Sequence, residues 1–277
     1  MELVEIIKDA FIFPSKNLGV LAIYSILSIL VAVFVLGAMF SLTMVFVDFI
    51  RNLLTGLIYL VLSIVVGFIL SGYQIALIKS GINFDEKAPD FEWKKNLYTG
   101  AENLFISIIY YTLPTLIVLM VGCSMNIPGH LSSIAQKTII QLNNTTITGN
   151  YAVSAADMMS PVMMYLLSSL IIMFIVAIIL FVIASILVTM AQARLANTGN
   201  VDEASNVPEA INDLKRIGIG NVIGLLVLIV VITVLIETFL SAIFNYVPFL
   251  SILSVIIMPY LTFFAQRAVG LLYSDIT

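Results

Sequence analysis

The amino-acid sequence predicts an all-α, polytopic membrane helix bundle: six transmembrane helices paired as three hairpins, with interfacial amphipathic segments and both termini cytoplasmic. Three observations predict it. The 277 residues are 61% apolar, and only 12 are basic and 16 acidic, whereas a soluble domain carries charge on about a quarter of its residues. A mean hydropathy of +1.13 leaves too little polar surface to cover a soluble particle. The apolar residues also gather into runs that exceed the roughly 20 needed to cross a hydrocarbon layer of about 30 Å. Lipid offers no partner to an unpaired backbone group, so such runs must be helices. They are too long and continuous for barrel strands.

The elements follow in order. In Met1 to Phe13, Leu3, Ile6, Ile7, Ala10 and Phe11 fall on one helical face, opposite Glu2, Glu5, Lys8 and Asp9. This segment is expected to lie in the headgroup plane, with Pro14 breaking it before the first span. Its acids and the long run that follows distinguish it from a signal peptide. The spans are then expected over Asn17–Val47, Asn52–Ile78, Thr99–Gly122, Pro161–Ala191, Ile219–Phe244 and Val247–Tyr273. All belong to a single transmembrane domain, residues 1–277. Inner loops are expected at 79–98 and 192–218, and a long outer loop at 123–160. The Asn/Thr-rich stretch Gln141 to Asn150 reads as exposed loop, and Asn143 and Asn144 both fit the glycosylation pattern N-x-[ST].

Orientation comes from Lys and Arg in the short connections. With the N-terminus inside, the inner side holds Lys8, Lys16, Lys79, Lys87, Lys94, Lys95, Arg194, Lys215, Arg216 and Arg267, and the outer side only Arg51 and Lys137. The inner loops also resemble each other. Tyr73-Gln74-Ile75-Ala76, Gly81, Asp85-Glu86, Pro89-Asp90 and Lys94-Lys95 in the first match Ala191-Gln192-Ala193-Arg194, Gly199, Asp202-Glu203, Pro208-Glu209 and Lys215-Arg216 in the second. Ala265-Gln266-Arg267 begins a third copy. An even number of spans per unit makes the copies parallel rather than inverted.

Several function classes are excluded. One His (His130) and one Cys (Cys123) rule out a His/Cys zinc or haem site and an intrachain disulfide. A net charge of −4 argues against nucleic acid, and no cluster of basic residues beside a span marks a polyanionic-lipid site. No catalytic, cofactor-binding or metal-binding residue stands out. Gly218 to Gly224 misses the dinucleotide spacing, so Gly220-x-x-x-Gly224 is read as close helix packing. Pro114 and Pro259 are candidate kink positions.

The candidate structural or solute-contact residues are few. Glu237 is the only acid well inside a span. At about 1.5 Å per residue it lies near the outer interface, level with Asp48 and Arg51. An ion pair from Glu237 to Arg51 is expected to tie hairpins together. Glu102 and Asn103 open the third span, where an acid is ordinary helix-end electrostatics. Arg267 closes the sixth, where a long cation ordinarily snorkels to the interface. Gln74, Gln192 and Gln266, with Tyr110 and Tyr260, would line an inner vestibule if the protein carries a solute.

Asp9-Ala10-Phe11-x-Phe13-Pro14, then Gly72-Tyr73, Gly81, Glu86, Pro89-Asp90-Phe91-Glu92-Trp93 and Gly100, and then Ala193-Arg194-x-Ala196-x-Thr198-Gly199 carry a resemblance over nearly the whole chain. Together they resemble a prokaryotic, largely archaeal, multi-pass membrane family catalogued as a domain of unknown function, number four thousand and thirteen. The resemblance implies this architecture and no reaction. Members have more basic residues just after the second span, where this chain has Lys79. The expectation is a non-enzymatic membrane-organising or accessory protein in the cell membrane. It would act through membrane lipids, a membrane protein partner or a homo-oligomer, with no cofactor. The alternative is a carrier or channel for an apolar or amphipathic small solute or lipid. A proton- or sodium-driven pump is disfavoured, because midplane carboxylates are lacking.

Overall fold

The computed structural model describes residues 2–148 and 161–276. Among them there are helices and turns and no strand. We number the helices α1 (Leu3–Lys16), α2 (Leu18–Thr43), α3 (Phe49–Ile82), α4 (Trp93–Ser124), α5 (Ile127–Thr148), α6 (Pro161–Thr198), α7 (Val201–Ala204), α8 (Val207–Ile217), α9 (Ile219–Tyr246) and α10 (Ser254–Tyr273). Six segments are long and apolar enough to cross a membrane, and each corresponds to an expected span.

The boundaries differ instructively. α3 runs on to Ile82, α4 begins at Trp93 and α6 continues to Thr198. Their charged ends stay helical because intrahelical hydrogen bonds do not require an apolar side chain. The inner loop 192–218 is therefore mostly helix, and the first inner loop shrinks to Asn83–Glu92. Pro14 does not end α1. The helix continues to Lys16, where the Asn17 backbone N–H donates to the Pro14 carbonyl and its Nδ2 to the Phe13 carbonyl. In the outer segment, Ile127–Thr148 is helical where a loop was expected. The side chains of Asn143 and Asn144 lie outside the described residues.

The chain forms two compact units. The first comprises Met1–Ile108 and Ile186–Thr277, the second Ile109–Ser185. In the second unit Tyr111 stacks on Phe181, and His130 of α5 on Tyr165.

In the first unit α2 and α3 pack along each other, and α10 lies against α1, α2 and α3. Their core holds Phe13, Leu21, Tyr24, Leu70, Tyr73 and Phe263. The apolar face of α1 turns into this bundle, with Ile6, Ala10 and Phe13 buried. Phe11, on the same apolar face, stays exposed. Two close crossings fix α3. A Cβ added to Gly72 would lie 1.8 Å from the Asn96 carbonyl oxygen, and one on Gly100 1.9 Å from that of Phe68. On its other side, a Cβ on Gly270 would lie 2.2 Å from the Ile78 carbonyl oxygen. Only glycine fits these positions. Gly220, expected at a close crossing, has nothing within 4 Å of an added Cβ, and Gly224 meets only Leu3.

Candidate functional site

The polar side chains of the first unit gather at the helix ends that carry the two inner loops. Arg267, near the end of α10, is only 3% exposed. Its Nε donates to Asp9 Oδ2 of α1 (3.1 Å), and its Nη1 to the carbonyls of Ser80 (2.6 Å) and Asp85 (2.8 Å). Its guanidinium carbon lies 4.5 Å from the centre of the Phe13 ring. Arg267 therefore does not snorkel to solvent. It ties the N-terminal helix and the first inner loop to α10, and charge-assisted bonds of this kind are what makes a buried guanidinium tolerable.

A second arginine does the same at the end of α6. Arg194 Nε donates to Asp213 Oδ2 (3.1 Å), and Nη1 and Nη2 both reach Glu209 Oε2 (3.3 and 3.2 Å). Asp213 is 1% exposed and also accepts a 2.6 Å bond from the Tyr273 hydroxyl. Arg216 Nη2 donates to the Ile276 carbonyl. α8, which carries Asp213 on its buried face and Glu209 at the edge of that face, is thereby fastened to both α6 and α10. Sequence reasoning passed over Asp9, Asp213 and Arg194. Arginine at the ends of the fourth and sixth spans, facing acids in the amphipathic lead-in segments, was the available signal. Alignment of the repeats on glutamine hid it.

The sequence-chosen residues of the first unit share no hydrogen-bond partner. Gln74 Nε2 donates to the Tyr24 hydroxyl (2.8 Å). Gln192 Nε2 donates to Asn103 Oδ1, whose Nδ2 donates to Ser71 Oγ, a chain linking α6, α4 and α3. Asn103 thus sits inside the packing, three turns into α4, and not at its start. Gln266 is half-buried and has no side-chain partner among the described residues. The Tyr260 hydroxyl donates to the Phe11 carbonyl and its ring meets Phe11 edge-on, beside an all-apolar groove lined by Leu235, Phe239 and Ile256. Tyr110 is buried in the second unit.

The expected ion pair is likewise not formed: no described contact joins Glu237 to Arg51. The Asp48 carboxylate caps α3 by accepting from the Arg51 backbone N–H (3.3 Å), and Arg51 is exposed. Glu237 instead lies in a shallow depression on α9 with Thr238, Ser241 and Asn245. The four-residue spacing of Glu237, Ser241 and Asn245 puts them on one helix face.

The first inner loop differs from the second. Tyr73 stacks on Phe91 with ring centres 4.1 Å apart, and its hydroxyl donates to the Pro89 carbonyl (2.9 Å). Beneath the loop, between the ends of α3, α4 and α6, is a cavity of about 450 Å³. Lys79, Asp90, Glu92, Asn96 and Glu102 line it. Glu102, expected at a helix start, is thus on the cavity wall. No group of three or more His, Cys, Asp or Glu among the described residues is arranged to hold a metal ion.

The family model for proteins of unknown function DUF4013 matches residues 55–246, and the chain belongs to this family. No curated protein and no solved structure matches it.

Proposed function

We propose that this DUF4013 protein is a multi-pass membrane protein, with both termini cytoplasmic, that works as a non-enzymatic organising or accessory protein. In this reading it pairs through α9 with a transmembrane helix of a partner chain. One observation carries the reading. Glu237, Thr238, Ser241 and Asn245 form a polar stripe on a largely apolar helix of membrane length, and none has a side-chain partner among the described residues. In lipid such a stripe is costly unless another helix satisfies it. Arg194, Arg267, Gln74 and Gln192, polar groups that a transport path could use, are engaged inside the bundle.

The deciding experiment is native mass spectrometry of the protein taken from its own membranes into lipid discs. A stoichiometric partner protein, or a second copy of the chain, lost on Glu237→Leu with Ser241→Leu, supports the pairing. A bare chain holding a discrete lipid or solute refutes it and favours a carrier. The apolar groove beside Tyr260 is the observation on that side.

A further inference from the structure

The two inner loops place the same acids around different occupants. Counted from Gln74 and Gln192, Ala76 stands where the second loop has Arg194. Counted from Pro89 and Pro208, Asp90 stands for Glu209. Two residues before Lys94 and Lys215, Glu92 stands for Asp213. In the second loop the arginine bridges both acids. In the first loop both acids remain, the arginine is replaced by a methyl group, and Ala76, Asp90 and Glu92 all line the 450 Å³ cavity. That volume lies within the ~300–1,000 Å³ of small-molecule sites.

The unpaired charges of the cavity define its ligand. Lys79 also lines the cavity and has no ion pair among the described residues, whereas Lys95 is paired with Glu92 at the exposed rim (3.1 Å). Glu102 and Asp90 likewise lack a basic partner. The cavity therefore offers an unpaired ammonium, that of Lys79, beside two unpaired carboxylates, those of Asp90 and Glu102.

We propose that this cavity binds a small zwitterion. Its primary ammonium or guanidinium sits at Asp90 and Glu102, in place of the arginine of the second loop, and its oxyanion lies on Lys79. The chemistry is that of an amine-bearing phosphate ester, supplied either by a free molecule or by a phospholipid headgroup. This site is independent of the α9 pairing and survives its failure.

The test is thermal unfolding of the full chain in phosphatidylcholine discs, titrated with ethanolamine phosphate. Choline phosphate is the control, because its quaternary ammonium donates no hydrogen bond. Ethanolamine phosphate is expected to raise the unfolding temperature saturably, and choline phosphate is not. Asp90→Asn should raise the half-saturating concentration about tenfold, the weight of one charge-assisted bond. Ala76→Arg should raise the unfolding temperature unaided and abolish the response. In discs containing phosphatidylethanolamine, a shift already present without free ligand identifies the headgroup as occupant. An undiminished response to free ligand identifies a soluble zwitterion. No saturable shift, equal responses to both phosphates, or a response retained in Ala76→Arg and Asp90→Asn overturns the proposal. If one variant fails to fold, the other decides.

Discussion

Behind the second inner loop a guanidinium is enclosed by Glu209, by Asp213 and, through Asp213, by a tyrosine hydroxyl. Behind the first, no guanidinium joins the matching acids: Glu92 pairs with Lys95 at the rim, and Asp90 faces open space. The difference shows how one side chain decides whether a carboxylate is part of the core or part of a surface. Asp213 is 1% exposed because Arg194 and Tyr273 satisfy its oxygens, since a buried charge persists only with such partners. Asp90 and Glu92 have no such cover and remain exposed. The first loop is held by Tyr73 stacked on Phe91, over a crossing that only glycine permits, and by backbone carbonyls bonded to Tyr73 and Arg267.

The strongest way to break this comparison is to remove that crossing. Gly72→Leu or Gly100→Val would drive side-chain atoms into backbone oxygens that cannot yield. The expected cost exceeds about 4 kcal/mol, seen as loss of monodisperse protein on size exclusion. The same residue types at Gly220 should cost within about 0.5 kcal/mol, because nothing is near. Next in size is Arg194→Leu, which strands buried Asp213. Breaking a buried pair from one side costs about 3–5 kcal/mol. Chemical unfolding in mixed micelles measures it, and adding Asp213→Leu should restore most of the loss. Arg194→Lys should recover only part, because the bidentate geometry is gone.

Smaller effects sharpen the contrast. Tyr73→Phe keeps the stack on Phe91 but loses the bond to the Pro89 carbonyl, for about 1 kcal/mol. Hydrogen exchange should then quicken in Asn83–Glu92 and stay unchanged in α8. The smallest effect is expected at Glu237→Gln. With no ion pair to lose, its unfolding midpoint should stay within about 0.5 kcal/mol of the parent. A large loss of folding yield would mean that Glu237 is bound within this chain after all.

The sequence by itself determined the helical class, the six membrane-length segments and their order. Hydropathy over some 20 residues and the backbone's need for internal hydrogen bonds are local properties, readable without any neighbour. The chemistry of the inner loops was legible in part, because Gln74 and Gln192, or Pro89 and Pro208, recur in register along the chain. Local patterning also erred where partners decide. Glycine spacing pointed to Gly220 and Gly224, whereas the close crossings use Gly72, Gly100 and Gly270, which depend on which helix comes opposite. Likewise Gly81 and Gly199 occupy matching places in the repeat. Yet Gly199 ends α6 with φ of +67°, while Gly81 stays within α3 against α10. Only the tertiary structure decided that Arg267 meets Asp9 across 258 positions, that Asp48 caps α3 instead of joining an ion network, and that α1 turns its apolar face into the bundle. An ion pair needs two groups brought within about 4 Å by the rest of the fold, and that distance is written nowhere in the order of the residues.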